Sequence, residues 1–315
     1  MTLIVRTLRP ESPSDTEGFA RVRRACVPAM LATPASVRYH VARTHPDAHY
    51  RQLIAVTDDG TVIGTAQVGI AHDSPQPGQG YANVYVHPDH ENRGAGTQIL
   101  RAAEAHLAQH GAREVYCWAL DGDRNLAWAA ARGYRPSRSA HFLRLDLTPD
   151  DALPPLGPVP PGVELRTGAD FASDPQPLFA LDAETAADEP SDIATELTDY
   201  EQWLAEVWNN PLLDHALTSV AVVDGHPAAF TLAHTDGDGR YSSGMTGTAR
   251  AHRGRGLAKL AKNDSLHRAR KAGIRVAYTG NDAGNEPMLA INNWFGYTFD
   301  AKEIRHVRTL GPLDA

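Results

Sequence analysis

The chain is short of several things, and each shortage excludes a class of protein. It has two cysteines, Cys26 and Cys117, in 315 residues. That is too few for a disulfide framework or a structural thiolate zinc site, so a reduced, cytoplasmic setting is expected with both thiols as inert core residues. No apolar run approaches the roughly 18 residues of a membrane span, and the opening MTLIVRTLRPES turns polar too soon for a secretory signal. Basic residues are outnumbered, 30 against 38 acidic ones, for a net charge of −8. A broad nucleic-acid surface relies on the opposite excess. The phosphate-binding pattern G-x-x-x-x-G-K-[ST] is missing. The HPDH run at 87–90 has no third metal ligand at a useful spacing, so no metal site is expected.

What the chain does contain is a long internal repeat. RGAG at 93–96 matches RGRGLA at 253–258, TDDGTVIGTAQV at 57–68 matches VVDGHPAAFTLA at 222–233, ARGYRP at 131–136 matches WFGYTF at 294–299, and VRTLRP at 5–10 matches LRTGAD at 165–170, at offsets of 160 to 165. That period is too long for a solenoid and suits a duplicated domain. Prolines crowd the stretch between the copies, giving expected boundaries of 1–150, a linker at 151–162, and 163–315. Each copy reads as an opening strand, a helical region (16–43; 177–208), a hairpin (52–57 with 62–71; 219–223 with 228–234) and a strand into a glycine motif (81–86; 241–248). A helix follows (97–110; 257–271), ended by Gly111 or Gly273, then a strand (114–119; 275–279), a short helix and Gly-Tyr. The expected fold class is α+β, with two tandem domains of mixed, mostly antiparallel sheet flanked by helices.

The run AHRGRGLAKL at 251–260 carries the chemistry. Glycines let the backbone turn so that successive N–H groups converge, and the new helix adds its positive end. Arg253 and Arg255 add charge, and together these features suit a pyrophosphate. The spacing is not the dinucleotide fingerprint G-x-G-x-x-G. Following a strand, Arg253, Gly256 and Ala258 match [QR]-x-x-G-x-[GA], and here the sequence resembles the GNAT acetyltransferase superfamily. TGNDAGNEPMLAINNWFGYTF at 279–299 resembles that family's last strand and helix. The resemblance covers both copies.

The resemblance implies acetyl-coenzyme A as cosubstrate, held by Arg253, Gly254, Arg255, Gly256, Leu257 and Ala258, with Asn285 near the pantetheine arm. It implies a splayed strand whose main-chain N–H near Met245 or Thr248 meets the thioester carbonyl. It further implies a lid over 181–192 in which Glu184, Asp188 and Glu189 hold a cationic amine. Asn292 stands where many relatives carry a tyrosine acid. An amide can hydrogen-bond sulfur but cannot protonate it, which turns attention to Tyr297, Tyr278 or water. The strand YSSGMTGTAR lacks the glutamate base many relatives use; His234 and the acids of 181–192 are the candidate bases in its place, with a water chain to solvent as the alternative. Trp203, Trp208 and Trp294 are expected in the core.

In the first copy Glu91 takes the place of Arg253 and would repel a pyrophosphate. Val86, Arg93, Gly94, Ala95 and Gly96 form at most a second, degenerate cofactor site. The leading expectation is an acetyl-coenzyme A-dependent N-acetyltransferase acting on a small-molecule amine, as a monomer or homodimer, without nucleic acid or membrane partners. The alternatives are a transferase using another donor, such as aminoacyl-tRNA, and a non-catalytic coenzyme A-binding regulator.

Overall fold

The computed structural model describes residues 3–194 and 196–311. The chain forms two compact units. The first comprises the chain up to Ala140, Asp192–Ala194, and the chain from Ala301 on; the second comprises His141–Ser191 and Thr195–Asp300. Among the described residues no helix is long and apolar enough to cross a membrane.

The first unit runs β1 (Leu3–Thr7), α1 (Pro13–Cys26), α2 (Pro34–Arg43), β2 (Arg51–Thr57), β3 (Val62–Ile70), β4 (Gln79–Val86), α3 (Ala95–Gln109), β5 (Glu114–Leu120), α4 (Asp123–Ala130) and the beginning of β6 (Arg135–Asp146). Strands β1 to β4 pair antiparallel in sequence order. β4 then pairs parallel with β5, but only over Gln79–Tyr81 and Glu114–Tyr116. Local chemistry sets these elements. Thr33 and Ser36 cap α2 reciprocally at 3.1 and 3.0 Å, and Gly60, at φ +83°, turns the β2–β3 hairpin. Alternate residues of β2 and β3 meet Ile99, Ala103 and Leu107 of α3 in one buried core.

The second unit takes the end of β6, then β7 (Val163–Thr167), α5 (Gln176–Ala186), α6 (Tyr200–Trp203) widening into a further turn at Leu204–Trp208, β8 (Ser219–Val223), β9 (His226–Thr235), β10 (Arg240–Thr248), α7 (Leu257–Lys271), β11 (Val276–Asp282), α8 (Glu286–Trp294) and the start of β12 (Thr298–Thr309). β7 to β10 pair antiparallel, and β10 pairs parallel with β11 over Arg240–Ser243 and Val276–Thr279. Phe230 and Leu232 face α5 and α6 with Trp203 and Trp208, while Ala233 and Tyr241 face Leu266 of α7. The expected α+β class and mixed sheets are present.

The domain boundaries differ from those read in the sequence. β12, from Ala301 on, belongs to the first unit, where it pairs antiparallel with β5 from Glu303↔Leu120 to Thr309↔Glu114. The proline-rich stretch expected as a linker belongs wholly to the second unit. It straps α7: Asn263 Nδ2 donates to Pro155 O (3.2 Å), and His267 Nε2 meets Pro154 O (2.9 Å). Leu153 is buried beside Leu217 and Leu266. Proline carbonyls remain good acceptors, which is how a segment unfit for helix or sheet ladders still docks. Trp294 also departs from expectation: it is 46% exposed, with Lys259 Nζ 4.3 Å from its ring centroid.

Candidate functional site

In the second unit β10 and β11 part after the Ser243↔Thr279 pair, and the β10–β9 register slips by one between Ser243 and Thr246. Such a bulge bends its strand and leaves main-chain groups without ladder partners. Ala249 N–H donates to Ala228 O at 2.9 Å. Since N–H groups alternate sides along a strand, Thr248 and Thr246 direct theirs away from β9, into the gap. Thr246 was not singled out from sequence; the bulge places it beside Thr248. Met245 lines the same cleft while packing toward Phe230 and Leu232. The cleft encloses about 840 Å³, within the usual range for small-ligand sites.

The glycine loop closes one end. Gly254 and Gly256 adopt φ +74° and +75°, and a Cβ built on either meets nothing within 4 Å. The left-handed turn therefore presents bare backbone to open space. Gly256 gives α7 no side-chain cap, so the first N–H groups of the helix are left for an anion. Arg253 Nε reaches Thr248 O at 3.3 Å, and Gly256, Leu257 and Ala258 line the cleft. These residues fit a pyrophosphate. Arg255 is turned aside, its guanidinium 2.8 Å from His252 Nδ1.

Of the three acids expected to hold an amine, two are engaged by arginines. Asp188 accepts from Arg253 and, at 2.9 and 2.8 Å, from Arg250. The two guanidinium groups hold its carboxyl well below the usual carboxylate range. Glu184 accepts the Arg250 main-chain N–H at 2.6 Å. Asp188 and Glu189 line the cleft, but Asp188 and Glu184 are committed at its arginine-rich mouth. Arg250, which draws both, has no signature in the motif and was not read from sequence.

At the inner end, Asn285 lines the cleft and caps α8 by accepting from Met288 N at 3.3 Å. Asn292 does not reach it. The amide is fully buried, giving Nδ2–H to Asn281 Oδ1 (2.5 Å) and receiving Lys262 Nζ (2.7 Å). Asn281, not Asn292, faces the open space. Tyr278 and Tyr297 are buried outside the lining, and burial pushes the Tyr297 phenol well up. His234 packs against the bulge, where a Cβ on Gly244 would lie 2.7 Å from its Cε1; it too lies outside the lining.

The first unit holds a reduced counterpart of about 450 Å³. Asn92 and Gly94, at φ +61° and +86°, repeat the left-handed pair Gly254 and Gly256. Val86, Gly94, Ala95 and Gly96 line its cleft, while Arg93 turns to Asp89 O at 3.2 Å. Three features set it apart. β4 carries no register slip along β3. Asn83 Oδ1 accepts from Trp118 N at 3.1 Å, tying β4 to β5 beyond their ladder. Glu91 occupies the mouth, paired with Arg124 at 2.9 Å. Cys26 and Cys117 line this cleft as thiols pushed up by burial to about 11 and about 12.

A model of the Acetyltransferase (GNAT) family matches the chain twice, over residues 22–134 and 179–297. A mycothiol acetyltransferase of Nocardia farcinica is 32% identical over 299 residues, covering 91% of this chain and 92% of that one. Another from a Nocardioides species is 25% identical over 303 residues, covering 92% and 95%. Among solved structures, a tandem GNAT protein from the clavulanic acid biosynthesis pathway superposes with a TM-score of 0.74 at 20% identity, over 99% of this chain and 100% of its own. A GCN5-related N-acetyltransferase from Sphaerobacter thermophilus gives 0.70 at 22%, over 98% and 95%; at such identities the likeness speaks for fold. The chain belongs to the GNAT family of N-acetyltransferases and carries its fold twice.

Proposed function

We propose that the second unit transfers an acetyl group from acetyl-coenzyme A to the amine of a small molecule, by direct attack within a ternary complex. One observation carries this reading: the bulged end of β10, with the Thr246 and Thr248 N–H groups turned away from β9, and the bare glycine loop line the same cleft. A loop for the pyrophosphate and donors for a carbonyl that gains negative charge are what acyl transfer from a phosphorylated thioester needs. Acetyl-coenzyme A supplies the activated acyl group. The Arg253–Ala258 loop binds its phosphates, and Thr246 and Thr248 offer main-chain donors. His234, behind the bulge, is the proposed base, reached through water. Relatives named mycothiol acetyltransferase support a small-molecule acceptor. The first unit, with Glu91 at its mouth and no bulge between β3 and β4, serves as scaffold in this reading.

The test is release of free thiol from acetyl-coenzyme A by the purified chain, across a panel of amino sugars, amino acids and aminothiols. Turnover with one of them, lost in Arg253→Glu, is the expected result. No binding of coenzyme A by calorimetry overturns the proposal.

A further inference from the structure

Behind the inner end of this cleft lies a lysine that the expected chemistry does not use. Lys262, in the second turn of α7, is wholly buried. Its Nζ donates to Asn292 Oδ1 at 2.7 Å and Thr279 Oγ1 at 3.3 Å, and lies 5.2 Å from the ring centroid of Tyr297. No carboxylate is among these partners. Burial alone pushes its ammonium down to about 7. The other titratable groups facing it are Tyr297 and, on β10, Tyr241, which meets Ser265 one turn along α7 at 2.8 Å. Both phenols are pushed up by burial and stay neutral. An apolar side chain of similar length would fill this seam without desolvating a charge.

Thr279 connects the lysine to the cleft. It is the last β11 residue paired with β10 and it lines the open space where the two strands part. Thr279 thus meets both the buried Nζ and the cleft, and the same Nζ bonds Asn292, which fills the family's tyrosine position.

The geometry points to Lys262, acting through the Thr279 hydroxyl, as the proton source for the sulfur that leaves during acetyl transfer. This rests on reading the cleft as the acetyl-coenzyme A site. As the amine nitrogen bonds to the acyl carbon, the C–S bond breaks and its electron pair stays on sulfur. Thr279 gives that sulfur its hydroxyl proton, and Lys262 returns one to the Thr279 oxygen and becomes neutral. The proton shed by the attacking nitrogen passes through water to His234 and on to solvent, and Lys262 is recharged through Thr279 once the thiol has gone. A group titrating near neutrality is well matched to this work. Lys262 touches no substrate, so its role is to position and supply a proton through its neighbour.

The chain has four lysines, so ¹³C-lysine spectra are simple, and Lys262 is the one that is wholly buried. Coenzyme A and desulfo-coenzyme A are the probes. Coenzyme A should raise the Lys262 midpoint by about one pH unit or more, because a thiolate beyond Thr279 favours the ammonium. Desulfo-coenzyme A should leave it in place, and Thr279→Val should abolish the coenzyme A effect. In thiol-release assays, kcat of the wild type should fall above about pH 7; Lys262→Met should lower kcat roughly 10²-fold and lose that alkaline limb, with KM for acetyl-coenzyme A little changed. Equal shifts with both probes, or an unchanged alkaline limb in Lys262→Met, overturn the proposal. Failure of both probes to bind is a distinct result, which overturns the reading of the cleft and this proposal with it.

Discussion

The carboxylate of Asp188 grips Arg253, the residue that heads the glycine loop, and spans from it to Arg250. If the loop holds a pyrophosphate as proposed, Asp188 competes with it for the same guanidinium. Asp188→Asn keeps the shape and removes the competing charge. Coenzyme A should then bind roughly 3- to 10-fold tighter at low salt, with a steeper loss of affinity as salt rises, because more of the binding is unshielded charge pairing. Calorimetry at two ionic strengths reads both. Weaker binding would mean that Asp188 aligns the arginines instead of competing for them.

The two glycine loops offer an internal control. Gly256 and Gly94 both sit in the left-handed region at the start of a helix. A valine there costs about 1–2 kcal/mol in backbone strain and swings the N–H groups away from their common point. Gly256→Val should weaken coenzyme A binding by at least roughly tenfold, measured by calorimetry, and abolish thiol release. Gly94→Val should leave turnover within about twofold, since Glu91 already disfavours an anion at that mouth. A matched loss of turnover would give the first unit a part in the reaction.

Asp182 predicts how stability follows pH. It is buried in α5, accepts from Trp203 Nε1 at 2.8 Å, and is pushed up to about 6 by burial, against the pull of that hydrogen bond. Its folded pKa lies above its unfolded one, so the folded state holds the proton more tightly. The stability that Asp182 contributes is therefore fully present below about pH 4 and is lost as pH rises through 6. Two pH units correspond to about 3 kcal/mol. Asp182→Asn keeps an acceptor for Trp203 and cannot ionise. It should be more stable than the wild type at pH 8 by up to that amount, with little advantage at pH 4, in urea unfolding at the two pH values. A variant less stable at pH 8 would show that the charge is better solvated than its burial implies.

The contrast between what was and was not legible in the sequence has physical causes. Backbone devices announce themselves: Gly111 and Gly273 end their helices at φ +81° and +88°, as read, and the glycine loop took the form its spacing required. The hairpins followed from alternating apolar runs bounded by turn residues. Strand exchange left no local trace, because TFDAKEIRHVRT pairs with β5, and nothing nearby in sequence encodes that partner. Side-chain roles were the least legible. Asn292 was placed correctly on its helix, yet which amide faces the cleft depends on packing between α7, β11 and α8. Lys262 looks like any helix-surface lysine until all faces of α7 are known to be covered, in part by the segment taken for a linker.

That exchange also decides how the first unit can be isolated. Its sheet uses β12 as a full neighbour of β5 over seven registered pairs. Inside the unit, Tyr85 donates to the buried Glu303 at 2.6 Å, and Arg308 binds Glu104 at 2.7 Å. A fragment of residues 1–150, cut where the sequence suggests a boundary, lacks all of this. It exposes the β5 edge and leaves Tyr85 without its acceptor, an invitation to strand-edge aggregation. Such a fragment should be poorly soluble and show no cooperative thermal transition. The same fragment with residues 301–311 fused through a flexible linker should recover a single sharp transition by calorimetry. A cooperative transition in the bare fragment would show that β5 tolerates a free edge and that β12 adds little to the first unit.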